Sequence, residues 1–172
     1  MKNINDFEEK FKKRSNTLLI LDYNGKVSST EPKMNSPLSN TRFKRVMENF
    51  ARKDSLKVAI ITNKEINKFK KEYGFDVNEI NIYGLSKGEL KNEEGSTFES
   101  EEKIIADIVA SNPDYEVIYV GDDKILISKT KQLGGSAIGI LPLCAKGKKN
   151  VDFTVSQNKF EETLITINNL YI

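Results

Sequence analysis

The chain has 172 residues, with 27 Lys+Arg against 25 Asp+Glu, one cysteine and no histidine. Without histidine there is no Ser-His-Asp or Cys-His nucleophilic catalysis, no His-ligated zinc and no imidazole pH switch. The lone Cys144 excludes an internal disulfide and a multi-thiolate metal site, so any chemistry falls to carboxylates, lysines, hydroxyls, backbone amides and a hard cation such as Mg²⁺.

The length fits one domain, residues 1–172, large enough to bury roughly two thirds of its unfolded surface. A net charge of +2 gives no mandate for nucleic acid or membrane partners. No apolar stretch approaches a membrane span, and no signal-peptide core follows Met1, so a cytoplasmic location is expected. The 23 Lys against 4 Arg, with 17 Asn and 18 Ile, fit an AT-rich coding bias better than a basic binding surface.

In chain order, Ile4, Phe7 and Phe11 have helical spacing within residues 2–15. Thr17 to Leu21 is a continuous apolar run ending at Asp22, the pattern of a parallel strand covered on both faces. Gly25, Pro32 and Pro37 make 23–37 a loop, and Phe43, Val46, Met47 and Phe50 mark a helix over 38–53. A second buried strand spans Val58–Thr62, and a short helix over 64–73 ends at Gly74. Ile80–Gly84 reads as a third strand, and the polar segment 85–99 as a loop or small hairpin. Ser100 is placed to cap a helix through Ala110, with Ile104, Ile105, Ile108 and Val109 inward and Pro113 closing it. Val117–Val120 is the fourth strand, 124–133 a helix stopped by Gly134-Gly135, and Ala137–Leu141 the fifth strand. Val151–Val155 reads as a sixth strand and 159–170 as a closing helix. Strands alternating with helices imply an α/β fold around a mostly parallel sheet, where ligands sit beyond the carboxyl ends of the strands.

Three strand ends carry polar groups: Asp22-Tyr23-Asn24-Gly25, Thr62-Asn63, and Gly121-Asp122-Asp123. Asp, Asn and Gly are ordinary turn residues. Yet carboxylates and hydroxyls gathered at one sheet edge repel unless a cation sits among them, and that donor set suits Mg²⁺. A carboxylate beside such a cation can also attack a phosphoryl group.

The runs Leu19-Ile20-Leu21-Asp22-Tyr23-Asn24-Gly25-Lys26, Val58 to Asn63 and Tyr119-Val120-Gly121-Asp122-Asp123 resemble the first, second and fourth motifs of haloacid dehalogenase superfamily phosphatases. The Tyr after the first acid is typical of the trehalose-6-phosphate phosphatase branch, and Val151–Val155 with its helix looks like that branch's last strand and helix. The resemblance implies a Rossmann-like three-layer sandwich. It also implies Asp22 as nucleophile, Thr62, Asn63 and Lys103 as phosphate contacts, and Mg²⁺ held by Asp22, the backbone carbonyl of Asn24 and Asp122, with Asp123 behind them. Lys103 lies a few residues short of the spacing of the family's lysine, and a solvated helix lysine reads as well there.

The departures are as informative. Asn24 stands where the family has its acid/base Asp, and an amide neither gives nor takes the proton, a contribution of ~10²–10⁴-fold in rate. Lys26 replaces the family's Thr, and Ile125-Leu126-Ile127-Ser128 replaces a run of acids. Residues 85–99 occupy the place of the family's cap domain and are too few to form it. Two functions remain open. One is a degenerate, weak or inactive phosphatase-like domain with a regulatory or structural role in trehalose biosynthesis, its expected partner a trehalose-synthase-type glycosyltransferase. The other is an active Mg²⁺-dependent phosphohydrolase that passes through an aspartyl-phosphate on trehalose 6-phosphate or a larger substrate. A phosphoacceptor receiver domain fits poorly, since the third strand ends in Tyr83-Gly84-Leu85-Ser86 without an acid, and no nucleotide-binding loop sequence is present. Gly134-Gly135, Lys146 to Lys149 and Cys144 read as a helix stop, an exposed loop and a buried small side chain. Tyr23 is expected against the floor of the site.

Overall fold

The structure is a computed structural model that describes residues 16–23, 37–73, 80–141, 151–156 and 159–171. The expected helix 2–15, most of the loop after Tyr23 including Asn24, the Gly74 cap, Cys144 and Lys146 to Lys149 lie outside the described residues. The elements are β1 Thr17–Asp22, α1 Pro37–Ala51, β2 Leu56–Glu65, α2 Ile66–Tyr73, β3 Ile80–Ser86, β4 Glu89–Lys91, β5 Thr97–Phe98, α3 Glu101–Ser111, β6 Glu116–Gly121, α4 Lys124–Gln132, β7 Ser136–Leu141, β8 Phe153–Ser156 and α5 Phe160–Asn169.

All strands join one sheet in the order β5-β4-β3-β2-β1-β6-β7-β8. The run from β3 through β1 to β8 is parallel throughout, and β4 and β5 add on antiparallel at the β3 edge. β1 is therefore interior, hydrogen-bonded to β2 on one side and β6 on the other. All six of its residues are buried, which is why its sequence is apolar without alternation. Leu19, Ile20 and Leu21 have no exposed surface, and burying side chains of this size stabilises by about 1.5–3 kcal/mol each, an upper estimate given residual structure in the unfolded chain.

Alternation along the strands divides the core into two layers. Leu19, Leu21, Val58, Ile60 and Ile82 face Val46, Met47 and Phe50 of α1, Phe69 of α2, and Leu164 and Ile167 of α5. Leu18, Ile20, Ala59, Ile61 and Tyr119 face Ile104, Ile105 and Ile108 of α3, and Leu126 and Ile127 of α4. Val109, expected inward, is only partly buried at the margin of that second layer. None of the described helices is long and apolar enough to cross a membrane.

Segment 85–99 takes the hairpin form of its two expected forms. β3 runs on to Ser86 and turns at Lys87 (φ 53°) and Gly88 (φ 80°) into β4, where Ser86 pairs with Glu89. Two successive residues with positive φ are the geometry of a tight hairpin turn that follows the natural strand twist. The next turn is held by Asn92, whose Oδ1 accepts from the backbone N–H of Glu94 (3.0 Å) and of Ser96 (2.9 Å). Glu93 accepts from the Ile82 N–H at 3.3 Å and from Lys70 Nζ at 2.7 Å, fastening the turn to β3 and α2. Phe98 meets Tyr83 edge-on at 5.6 Å.

β2 exceeds its expected span at both ends because it has ladder partners in β1 and β3 beyond its apolar stretch. At the far end of the sheet, Asp152 fixes the start of β7: its Oδ2 accepts from the Ala137 N–H at 2.9 Å and its Oδ1 pairs with Lys131 Nζ at 2.6 Å. Asp152→Ala leaves the Ala137 N–H without that acceptor. We expect a loss of about 1–3 kcal/mol in denaturant unfolding, and a loss below about 0.5 kcal/mol would contradict this role.

Candidate functional site

Parallel pairing sets the strand ends level. Asp22 pairs with Ile61 across the β1–β2 ladder, and the Tyr23 N–H donates to the Ile61 carbonyl at 2.7 Å. On the other side Leu21 pairs with Val120, so Asp22 stands beside Gly121 and the Asp122-Asp123 turn. The carboxyl ends of β1, β2 and β6 thus form one edge, as the sequence implies.

Within that edge the side chains separate by face. Asp22 continues the Leu18–Ile20 row toward α3 and α4 and is 2 % exposed. Tyr23 points the other way, into the α1–α2 layer, with its ring edge-on to Phe69 at 5.6 Å. It packs in that core layer, on the opposite face of the sheet from Asp22. Thr62 is 1 % exposed and belongs to an irregular end of β2, where the register with β3 shifts between Ile61 and Glu65. Its Oγ1 accepts from the Lys64 N–H at 3.1 Å, and its methyl lies toward Gly84 beside Ile66. Asn63 is turned to solvent.

Asp22 is joined by a residue that the motif reading passed over. The Tyr119 hydroxyl donates to Asp22 Oδ2 and accepts the Asp123 N–H at 3.3 Å. The signal for it was available: Tyr119 lies two residues before Gly121, on the strand face that Asp22 shares. A second missed residue is Glu101, which opens α3 after the Ser100 cap. Its negative charge acts on Asp22, as do those of Asp123 and Asp122. Lys103, expected to hold phosphate, is exposed, and its backbone N–H is spent on the Ser100 cap at 3.3 Å. The first turn of α3 therefore brings a carboxylate to the site. Asp123 uses Oδ1 to cap α4, accepting from the N–H groups of Ile125 (2.9 Å) and Leu126 (3.2 Å).

Burial pushes the Asp22 carboxyl up from 3.8 to about 7; the Tyr119 hydroxyl opposes this, and Glu101, Asp123 and Asp122 add to it. The Tyr119 phenol is held far above its ordinary value by burial and by the neighbouring Asp22 charge. Such a site resists a second negative charge and would be relieved by a cation. Among the described residues no group of three or more Asp, Glu or Cys side chains could hold a metal by itself. Mg²⁺ needs less: one or two carboxylates, with waters and a carbonyl filling the shell. Asp22 and Asp122 are hard oxygen donors of that kind and fit it, while the Asn24 carbonyl lies outside the described residues.

The unfolded chain loses the Asp22 proton near pH 4 and the folded chain near pH 7, so stability falls as pH rises between those values. The loss at this one residue is up to ~4 kcal/mol. Denaturant unfolding of wild type and Asp22→Asn in the presence of a chelator checks this. The wild type is expected to weaken relative to Asp22→Asn from about pH 4 to pH 7. Parallel profiles would contradict the burial of an ionisable Asp22.

No protein-family model matches the sequence, and no curated protein sequence matches it. Solved structures do match. Aspergillus fumigatus trehalose-6-phosphate phosphatase superposes with a TM-score of 0.68 at 10% identity, covering 98% of this chain and 100% of that one. The cobalt-bound deoxy-D-mannose-octulosonate 8-phosphate phosphatase of Haemophilus influenzae gives 0.53 at 10% identity, covering 90% of each chain. A haloacid dehalogenase-like hydrolase of Bacillus subtilis gives 0.53 at 10% identity, covering 95% of this chain and 96% of that one. Identity this low speaks for the fold alone, and the chain has the mostly parallel, Rossmann-type α/β fold of the haloacid dehalogenase-like phosphatases.

Proposed function

We propose that this chain is a phosphatase-like domain that binds Mg²⁺ at Asp22 and Asp122, with phosphoryl turnover weak or lost. Its role is then regulatory or structural, linked to sugar-phosphate metabolism and, from the trehalose-6-phosphate phosphatase likeness, to trehalose biosynthesis in the cytoplasm. A trehalose-synthase-type glycosyltransferase is the protein partner that fits this role. The observation that carries the proposal is the placement of Asp22, buried at the end of β1 beside Gly121 and the Asp122-Asp123 turn, where Glu101, Asp123 and Asp122 are negative neighbours. Such surroundings favour a cation and oppose a phosphate dianion.

Bound there, Mg²⁺ would neutralise the carboxylates and orient an oxygen ligand. The chain's own residues do the rest. Asp22 and Asp122 would hold the ion together with the Asn24 carbonyl, and Tyr119 keeps Asp22 in place through Oδ2. Asn24 has no proton to exchange with a leaving alkoxide or an attacking water, which removes general acid–base help of ~10²–10⁴-fold. Glu101 adds a negative charge on α3 near the site, in the region where the family resemblance calls for a phosphate-holding lysine. The hairpin at 87–98 is tied to β3 and α2 by Glu93, which suits a fixed wall better than a closing lid.

One observation favours the alternative, an active Mg²⁺ phosphohydrolase using Asp22 as nucleophile. Thr62 accepts at its hydroxyl oxygen, and among the described residues its O–H proton has no acceptor, which leaves it for an anion at the strand end. A fluoroberyllate adduct at Asp22 in the presence of Mg²⁺ would support that alternative.

An assay with Mg²⁺ on trehalose 6-phosphate and on a generic phosphoester tests the proposal. Wild type and Asp22→Asn are expected to release phosphate at the same background rate. Wild-type turnover that Asp22→Asn abolishes would overturn it.

A further inference from the structure

Arginine is scarce in this chain, 4 residues against 23 Lys, so the places where it stands are informative. A bias that supplies lysine wherever either cation serves leaves arginine where the planar guanidinium fork is needed. Three of the four, Arg42, Arg45 and Arg52, belong to α1 and the turn that ends it. Arg45 and Arg52 are exposed, and among the described residues neither guanidinium is held in an ion pair. Arg52 follows directly on α1, its N–H donating to the Asn49 carbonyl at 3.3 Å. Two helical turns separate the two arginines, so their backbone positions stand about 10 Å apart along the helix. The apolar side of α1, Val46, Met47 and Phe50, is spent on the sheet. The neighbouring helix α5 packs against α1 and carries Ile165, which is 43% exposed. Both helices cover the sheet face opposite Asp22.

Unpaired guanidiniums with an open apolar side chain on the next helix are the composition of a protein–protein interface, where arginine is enriched and lysine depleted. We infer that the outer side of α1, together with Ile165 of α5, is the docking surface for the protein partner proposed above, and that the partner brings carboxylates two helical turns apart beside an apolar contact. This rests on the partner role in that proposal. A carboxylate meets a guanidinium through two parallel hydrogen bonds, and acids two turns apart on a facing helix match the spacing of Arg45 and Arg52. A nucleic acid fits less well. Glu48 lies between the two arginines in sequence and Asp54 follows Arg52, so an evenly charged phosphate backbone would meet carboxylates as well, and Ile165 would add nothing to it. Docking on this side leaves the face that Asp22 occupies uncovered, so partner binding does not depend on Asp22.

Titration of the full chain with a purified trehalose-synthase-type glycosyltransferase, read by surface plasmon resonance, tests this, with duplex DNA as a second analyte. Wild type and Asp22→Asn are expected to bind the enzyme equally. Arg45→Glu with Arg52→Glu is expected to weaken binding at least about a hundredfold. Arg45→Lys with Arg52→Lys, which keeps the charge and loses the fork, is expected to weaken it about tenfold. Lys87→Glu with Lys124→Glu makes the same change in net charge on the hairpin and α4, and is expected to move affinity by less than about threefold. Should the glutamate pair at 45 and 52 not fold, the lysine pair decides. Lysine at both positions binding as tightly as wild type overturns the inference and leaves the partner role standing. Wild type that does not bind the enzyme overturns both. Duplex DNA that binds more tightly than the enzyme, and is lost with the glutamate pair, assigns the surface to nucleic acid and overturns the inference too.

Discussion

A carboxyl group buried at the end of an interior strand is the constraint around which this molecule is organised. β1 is hydrogen-bonded on both edges and covered on both faces, so Asp22 cannot move to water without disturbing the sheet. Burying a charge is costly unless something pairs with it. Here the Tyr119 hydroxyl supplies a donor, Gly121 gives the phenol room to arrive, and the Asp123 N–H holds the phenol from its far side. The neighbouring Glu101, Asp122 and Asp123 then push the charge balance the wrong way for an isolated carboxylate. The cation proposed for this edge would restore it.

The same balance underlies the proposed loss of turnover relative to the phosphatases whose fold this chain shares. Attack on a phosphoryl group needs positive charge on the transferring oxygens and a proton source for the leaving group. Asn24 withdraws the second. The first turn of α3 brings Glu101's charge to bear on Asp22, while Lys103 is exposed. The hairpin over 85–99 widens the sheet through β4 and β5 and is anchored at Asn92 and Glu93. What is kept is the pair best suited to a hard cation, Asp22 and Asp122, on adjacent strand ends.

The architecture was largely legible in the sequence because each parallel strand, covered on both faces, is written as an unbroken apolar run. β1, β3, β6 and β7 lie within a residue or two of the runs that announce them. The Ser100 cap and the stop at Gly134 (φ 92°) were legible for local reasons, since their backbone geometry is set by those residues themselves. The hairpin was half legible: its turns depend on Lys87-Gly88 and on the Asn92 side chain, while its strands are too short to leave a periodic signal. Asp22 and Asp122 could be named from motif position. Tyr119 was signalled only by the alternation along β6, and its meeting with Asp22, like that of Glu101, depends on the β1–β6 register or on the approach of α3, both long-range. The placement of Tyr23 was misjudged for a related reason. Alternation on β1 sends it to the face opposite Asp22, although the two are adjacent in sequence.

The central claim is that the edge between Asp22 and Asp122 holds a cation and does not carry out phosphoryl transfer. A crystal structure of the chain grown with Mg²⁺ and trehalose 6-phosphate tests it most directly. The account predicts an ion held by Asp22 and Asp122 and no phosphoryl group on Asp22. An edge without an ion, or a phosphorylated Asp22 beside cleaved sugar, would contradict it.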